Sequence, residues 1–204
     1  MTVTTDTRPL EVVVDETPGV VHAPDQAHGS DRGMWAWTVL RLLLGFTFLW
    51  AFLDKFFGLG FATCRAESSD IDYLCDAAMV KGGSPTWGFL TFGTVDSKTG
   101  NLFDWMASSG PDSIGLADVG FMAALLLGGL ALLLGVGVRT AAIGGAILIF
   151  FMYLAGDVWP TNNPLVDSHM IETVAFLGIA TVGAGPFSLR NWAHDKLGVL
   201  GRIP

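Results

Sequence analysis

The sequence predicts an all-α integral membrane protein, a four-helix transmembrane bundle with short helices in its first outer loop. Three observations carry that prediction. Of 204 residues, 51% are hydrophobic and only 15% charged, against roughly 25% charged in soluble domains. Residues 35–57, 119–138, 140–156 and 170–187 are apolar stretches of 17 to 23 residues, close to the ~20 that a helix needs to cross a hydrocarbon core. Small residues also recur four apart, at Ala124/Gly128, Ala141/Gly145, Ala142/Ala146 and Ala180/Ala184. That spacing lets helix backbones approach closely in lipid.

The first apolar stretch organises the chain. It runs without a charge from Leu42 to Leu53, bounded by Arg41 before and Asp54-Lys55 after. Its 23 residues span about 34 Å as a helix. Trp35, Trp37, Trp50, Phe56 and Phe57 lie toward its ends, where bulky rings favour the interface. Arg41 and Lys55, fourteen residues apart, fall on one stripe, and Asp54 points away from it. Two readings stand for Arg41: a long base snorkelling to the headgroups, or an intramembrane charge with a function. For Lys55 they are snorkelling and a local pair with Asp54, or a site at the membrane's outer level.

Around that helix the chain divides into residues 1–33, a polar cytoplasmic tail, 34–188, the transmembrane domain, and 189–204, a cytoplasmic C-terminal tail. The first tail holds six acidic residues, two arginines and prolines at 9, 18 and 24. It buries too little apolar surface to offset its ordering entropy and reads as disordered. It also lacks the apolar run of a secretory signal.

The connection at 58–113 is too apolar to be a simple linker. Ser84 followed by Pro85 reads as a helix start, with Ser84 as N-cap. Short helices there are expected to cap the bundle or dip into the interface, with Trp87, Phe89 and Trp105 turned inward. Further on, 119–138 is the clearest span, 140–156 the third, and 170–187 the fourth, interrupted by Glu172.

Basic residues set the orientation. Arg8, Arg32, Arg139, Arg190, Lys196 and Arg202 lie on one side, and Arg65, Lys81 and Lys98 on the other. The richer side is expected to be cytoplasmic, which puts both termini inside a cell membrane and the long first loop outside. Outside, a Cys64–Cys75 disulfide is chemically permitted, with free or metal-binding thiols as the alternatives.

Charge and ligand counts bound the function. A formal net charge of −8 disfavours nucleic acid as a partner. Two cysteines cannot make the usual four-ligand zinc site, and no metal is expected. Only His169 and His194 lie near the spans, on opposite sides, so a bis-histidine haem within the chain is excluded. A quinone, the cysteine pair or a partner's cofactor is left to carry any electrons.

His169 opens the fourth span and stands three residues from Glu172, so the two can share a face. Asp167 and Glu172 also suit a helix N-terminus. By depth, His169 and Lys55 lie at one membrane level with Asp54, and Glu172 about 4.5 Å deeper. These four, Asp54, Lys55, His169 and Glu172, form the candidate outer polar pocket, with Trp87 and Trp105 as candidate lining.

Residues 41–60 (RLLLGFTFLWAFLDKFFGLG), 82–94 (GGSPTWGFLTFGT) and 162–169 (NNPLVDSH) resemble the DoxX superfamily, most closely its DoxD branch. The resemblance covers about 35–190 and implies a four-helix membrane bundle. For activity it implies a membrane subunit of thiosulfate:quinone oxidoreductase that works with a second subunit, with quinone as cofactor. No stretch of this chain looks like that second subunit. The outer loop holds seven acidic residues against Arg65, Lys81 and Lys98, which would repel a thiosulfate dianion at long range. The alternative is a non-catalytic accessory or scaffold subunit of a respiratory or redox-protection complex.

Overall fold

A computed structural model describes residues 27–65, 71–158, 160, 165–185 and 187–189. The expectations for the tails at 1–26 and 190–204, and for Asn162 to Pro164, lie outside the described residues. Among those described, every regular element is helical, apart from one isolated antiparallel bridge between Arg65 and Ile71.

Four α-helices make the body: α1 (Ala27–Phe57), α2 (Leu116–Leu134), α3 (Val138–Met152) and α4 (Ser168–Val182). α1 packs on α2, α2 on α3, α3 on α4, and α4 returns to α1. Three segments are long and apolar enough to cross a membrane: Gly33–Phe57, Leu116–Leu134 and Val138–Gly156. α4 has 15 residues, about 22 Å of helix, and is shorter.

α1 starts at Ala27, inside the stretch assigned to the tail. From Pro24 to Phe57 the sequence holds no further proline, and once the apolar stretch has formed, each further turn adds bonds without a new nucleus, despite Gly29 and Gly33. α2 and α3 join through a tight turn. Gly135 and Gly137 take left-handed φ values of 71° and 63°, a conformation glycine adopts without a Cβ clash. The second span therefore ends at Leu134 rather than Val138, although every residue between is apolar.

α4 likewise ends short of the expected Phe187. From Gly183 the chain leaves the helix and packs against the end of α2. There the Leu189 N–H donates to the Leu134 carbonyl at 2.9 Å, and the Ser188 hydroxyl donates to the Gly135 carbonyl at 2.7 Å.

The core joins Leu44 and Phe48 of α1 to Met122, Leu125 and Leu132 of α2, Ala142, Ala146 and Ile149 of α3, and Phe176 and Ile179 of α4. The Phe48 and Phe176 rings meet across the body with centroids 5.0 Å apart. Small residues set the close approaches. A Cβ on Gly129 would lie 2.7 Å from the Leu49 backbone nitrogen, and one on Gly145 would lie 2.7 Å from the Phe176 ring. Gly145 thus fills the role its spacing with Ala141 implies.

Candidate functional site

The C-terminus of α1 and the N-termini of α2 and α4 bring the candidate residues to one end of the body. Asp54 is 2% exposed. Its carboxylate accepts the backbone N–H groups of Phe61, Ala62 and Thr63 at 3.0, 2.9 and 3.0 Å. The chain doubles back over the helix end to do this, and Gly58 and Gly60, both at positive φ, make the reversal. Cys64 follows at once and is bonded to Cys75. A Cβ on Gly58 would fall 2.4 Å from the Cys64 sulfur. Asp54 fastens the start of the 58–113 cap to α1, and the disulfide closes the loop that follows.

Lys55 is half-buried beside Asp54. Among the described residues it forms no hydrogen bond or ion pair, and the same holds for Glu172, also half-buried. His169 turns to its own helix start, its Nδ1 2.6 Å from Asp167 Oδ2. Asp167 is the N-cap of α4, accepting the Met170 N–H at 3.0 Å. Burial raises the Asp167 carboxyl, but the Met170 N–H and the His169 contact outweigh it and hold the group below the ordinary carboxylate range. No hydrogen bond or ion pair among the described residues joins Asp54 or Lys55 to His169 or Glu172. The four share an end of the body, with Asp54 and His169 each committed to a local partner.

Trp87 is half-buried, edge-on to Phe92 with centroids 5.2 Å apart. Phe89 packs on α3's end, where a Cβ on Gly156 would lie 3.1 Å from its ring. Trp105 departs from expectation: it is 80% exposed. The turn at Asp104–Met106 follows directly on Gly100–Leu102, too short an element to bury both faces. Phe103 is half-buried and lies against Phe151, with ring centroids 6.3 Å apart. Between Leu90–Ser97 and Asn101–Ala107 lies an open cleft of about 460 Å³, edged by Thr91, Ser97, Asn101 and Asp104.

Asp118 is the residue that sequence reasoning passed over, because the second span was counted from Val119. It is fully buried and holds the middle of the cap. Oδ1 accepts the Ser84 hydroxyl at 2.8 Å, the Thr86 N–H at 2.9 Å and the Thr86 hydroxyl at 2.6 Å, while Oδ2 accepts the Gly115 N–H at 2.7 Å. Ser84 in turn accepts the Trp87 N–H at 3.0 Å, the capping role expected of it. A usable signal was present: an acid three residues into a helix, facing a Ser-Pro-Thr turn.

Arg41 sits toward the opposite end, 0% exposed. It neither snorkels nor faces the polar end. Its guanidinium donates to the carbonyls of Leu132 and, at 3.2 Å, Phe187. Leu132 lies in the last turn of α2, whose carbonyls have no helical partner, and a cation there also complements the helix dipole. Arg41 thus joins α1 to the ends of α2 and α4.

Among the described residues there is no cluster of three or more His, Cys, Asp or Glu side chains suited to a metal. The chain matches no protein-family model, no curated protein and no solved structure.

Proposed function

We propose that the chain is a multi-pass cell-membrane protein, a four-helix transmembrane bundle with both termini cytoplasmic. In this reading the 58–113 cap lies outside, and the protein is an accessory or scaffold subunit of a respiratory or redox-protection complex. One observation carries the scaffold role. Among the described residues the three buried charged side chains, Arg41, Asp54 and Asp118, are each taken up by backbone or hydroxyl partners that fasten helix ends and the cap. Charges used this way brace a body and leave little for chemistry.

A second reading, a DoxD-like membrane subunit passing electrons from thiosulfate or a related reduced sulfur compound to quinone, rests on the resemblance of residues 41–60, 82–94 and 162–169. One observation favours it. Lys55 and Glu172 stay half-buried without an ion pair among the described residues, as groups awaiting a quinone carbonyl or a proton would. In either reading the chain works beside a protein partner in a membrane complex.

The experiment that separates the readings is purification in mild detergent from the native membrane. Co-purifying subunits without bound quinone or thiosulfate-dependent quinone reduction support the scaffold. Bound quinone together with that activity replaces it with the oxidoreductase. A reporter active only in the cytoplasm, fused after Pro204, should be active, and one fused near Lys98 silent.

A further inference from the structure

Three exposed apolar side chains, two of the cap and one at the start of α2, lie where a membrane surface would meet them. Trp105 is 80% exposed, Leu102 63%, and Leu116, the first residue of α2, 90%. Soluble surfaces carry single exposed apolar residues as a matter of course. The stretch that carries Leu102 and Trp105 runs on to the start of α2. Trp105 is three residues from Ser108, and a Cβ on Gly115, next to Leu116, would lie 3.5 Å from the Ser108 Cβ.

Depth decides what covers them. The 99–103 segment packs against the last turns of the apolar segment Val138–Gly156, chiefly the turn Tyr153–Asp157 that continues α3. The Thr99 hydroxyl donates to the Leu154 carbonyl, and the Phe103 ring lies 6.3 Å from that of Phe151. Phe151 is five residues inside the last residue of the apolar segment Val138–Gly156, about 7–8 Å along the axis. Phe151 remains 51% exposed, so Phe103 is laid on the outward, apolar side of α3. Leu102 and Trp105 flank Phe103 at that level. Charge marks the polar limit of the segment: Asp96, Lys98 and Asp104 are exposed, while Thr99 to Phe103 carries no charge.

We propose that the 99–106 segment is an interfacial anchor that lies in the outer leaflet at the boundary between headgroups and acyl chains. Trp105 and Leu102 enter the lipid, and Asp104 and Lys98 stay at headgroup level. The occupant is zwitterionic lipid. The indole fits this depth because one end is apolar and its N–H seeks a polar partner. An adjacent carboxylate excludes the acyl interior, where it would be costly. The cap would then be held by lipid along one side as well as by Asp54 and Asp118 on the other.

The inference rests on the membrane-spanning reading, and the test keeps the two apart. The full chain is reconstituted in phosphatidylcholine nanodiscs, some with lipid brominated near the headgroup end of its acyl chains. The emission of Trp105 is taken as the difference between wild type and Trp105→Phe. It should be blue-shifted relative to indole in water, quenched by the brominated lipid, and largely insensitive to iodide. Leu102→Trp, placed in the Trp105→Phe background, should restore the lipid-quenched signal. Trp50, read through Trp50→Phe in the same discs, reports whether α1 is in the bilayer. Iodide-quenched Trp105 beside lipid-quenched Trp50 would overturn the anchor and leave the spans intact. Shielding of Trp105 in native membranes but not in the discs would also overturn it, in favour of a protein partner. If neither residue meets lipid, the membrane-spanning reading falls first.

Discussion

The Thr86 hydroxyl donates to Asp118 Oδ1 at 2.6 Å, and through that bond the cap is fixed to the start of α2. With Ser84 and Gly115, the carboxylate gathers four donors. Asp118→Ala would leave those donors buried without an acceptor. We expect a loss of about 3 kcal/mol, the scale for breaking a buried charged network. Protease should cut the 84–113 region faster while the helices remain protected. Asp118→Asn keeps one oxygen but turns an NH2 toward a donor, so an intermediate loss is expected. Unchanged proteolysis in Asp118→Ala would remove the carboxylate from its place as the cap's fastening.

Arg41 makes the corresponding prediction at the other end. Arg41→Met fills similar space but leaves the Leu132 and Phe187 carbonyls unsatisfied, at about 1–3 kcal/mol for each buried group. Thermal unfolding in nanodiscs should drop accordingly. The sharper comparison is Arg41→Lys. A snorkelling base tolerates that change, whereas a planar guanidinium serving two carbonyls does not. Stability equal to wild type in Arg41→Lys would dismiss the clamp.

These two residues mark what the sequence could and could not convey. The apolar stretches were legible because bilayer thickness sets a length that composition meets. Ser84 was legible because a cap is a local event, settled within three residues. Arg41 and Asp118 were not, since their partners lie 91 and 32 residues away. Nothing in the neighbourhood of Arg41 says that the end of α2 will arrive beside it. The ends of α2 and α4 were missed for a related reason. Apolar residues continue through Val138 while backbone conformation at Gly135 ends α2; α4 ends at Gly183, where the Gly-Ala-Gly-Pro sequence of 183–186 is a stop signal that apolar composition alone does not read. The candidate pocket was argued from depth alone, and depth brings Lys55, His169 and Glu172 to one end without saying which way each side chain turns.

Asp167 supplies a pH dependence with a definite sign. Its folded-state pKa lies below the ordinary value near 3.9. Its contribution is therefore present above that value and is lost as pH falls through the lower folded value. At neutral pH, Asp167→Ala should weaken the α4 N-terminus by about 1 kcal/mol, the usual worth of a cap. Amide exchange at Met170 and Ile171 reads the effect directly. The gap between wild type and variant should close only in strong acid, below about pH 4. A gap that stays constant on acidification would mean that the carboxylate is not what caps α4.

The last prediction concerns the two half-buried charges without an ion pair among the described residues, Lys55 and Glu172. Glu172 sits one residue short of a turn beyond His169, about 4.5 Å along the axis. An unpaired carboxylate at such a level is costly unless it is protonated or reaches polar surroundings. If the chain is a scaffold, neither group has a chemical task. Glu172→Gln keeps shape and hydrogen bonding while removing the charge, and Lys55→Met keeps the length of the apolar stem. Both should fold as well as wild type or slightly better, since each removes a charge that must be solvated at an apolar boundary. Both should also retain the co-purifying partners. The measurement is paired: thermal unfolding with partner retention on one side, quinone content and quinone reduction on the other. Loss of quinone-linked activity in a variant that still folds and assembles would make Lys55 or Glu172 a working residue. The chain would then be an oxidoreductase subunit, whatever its electron donor.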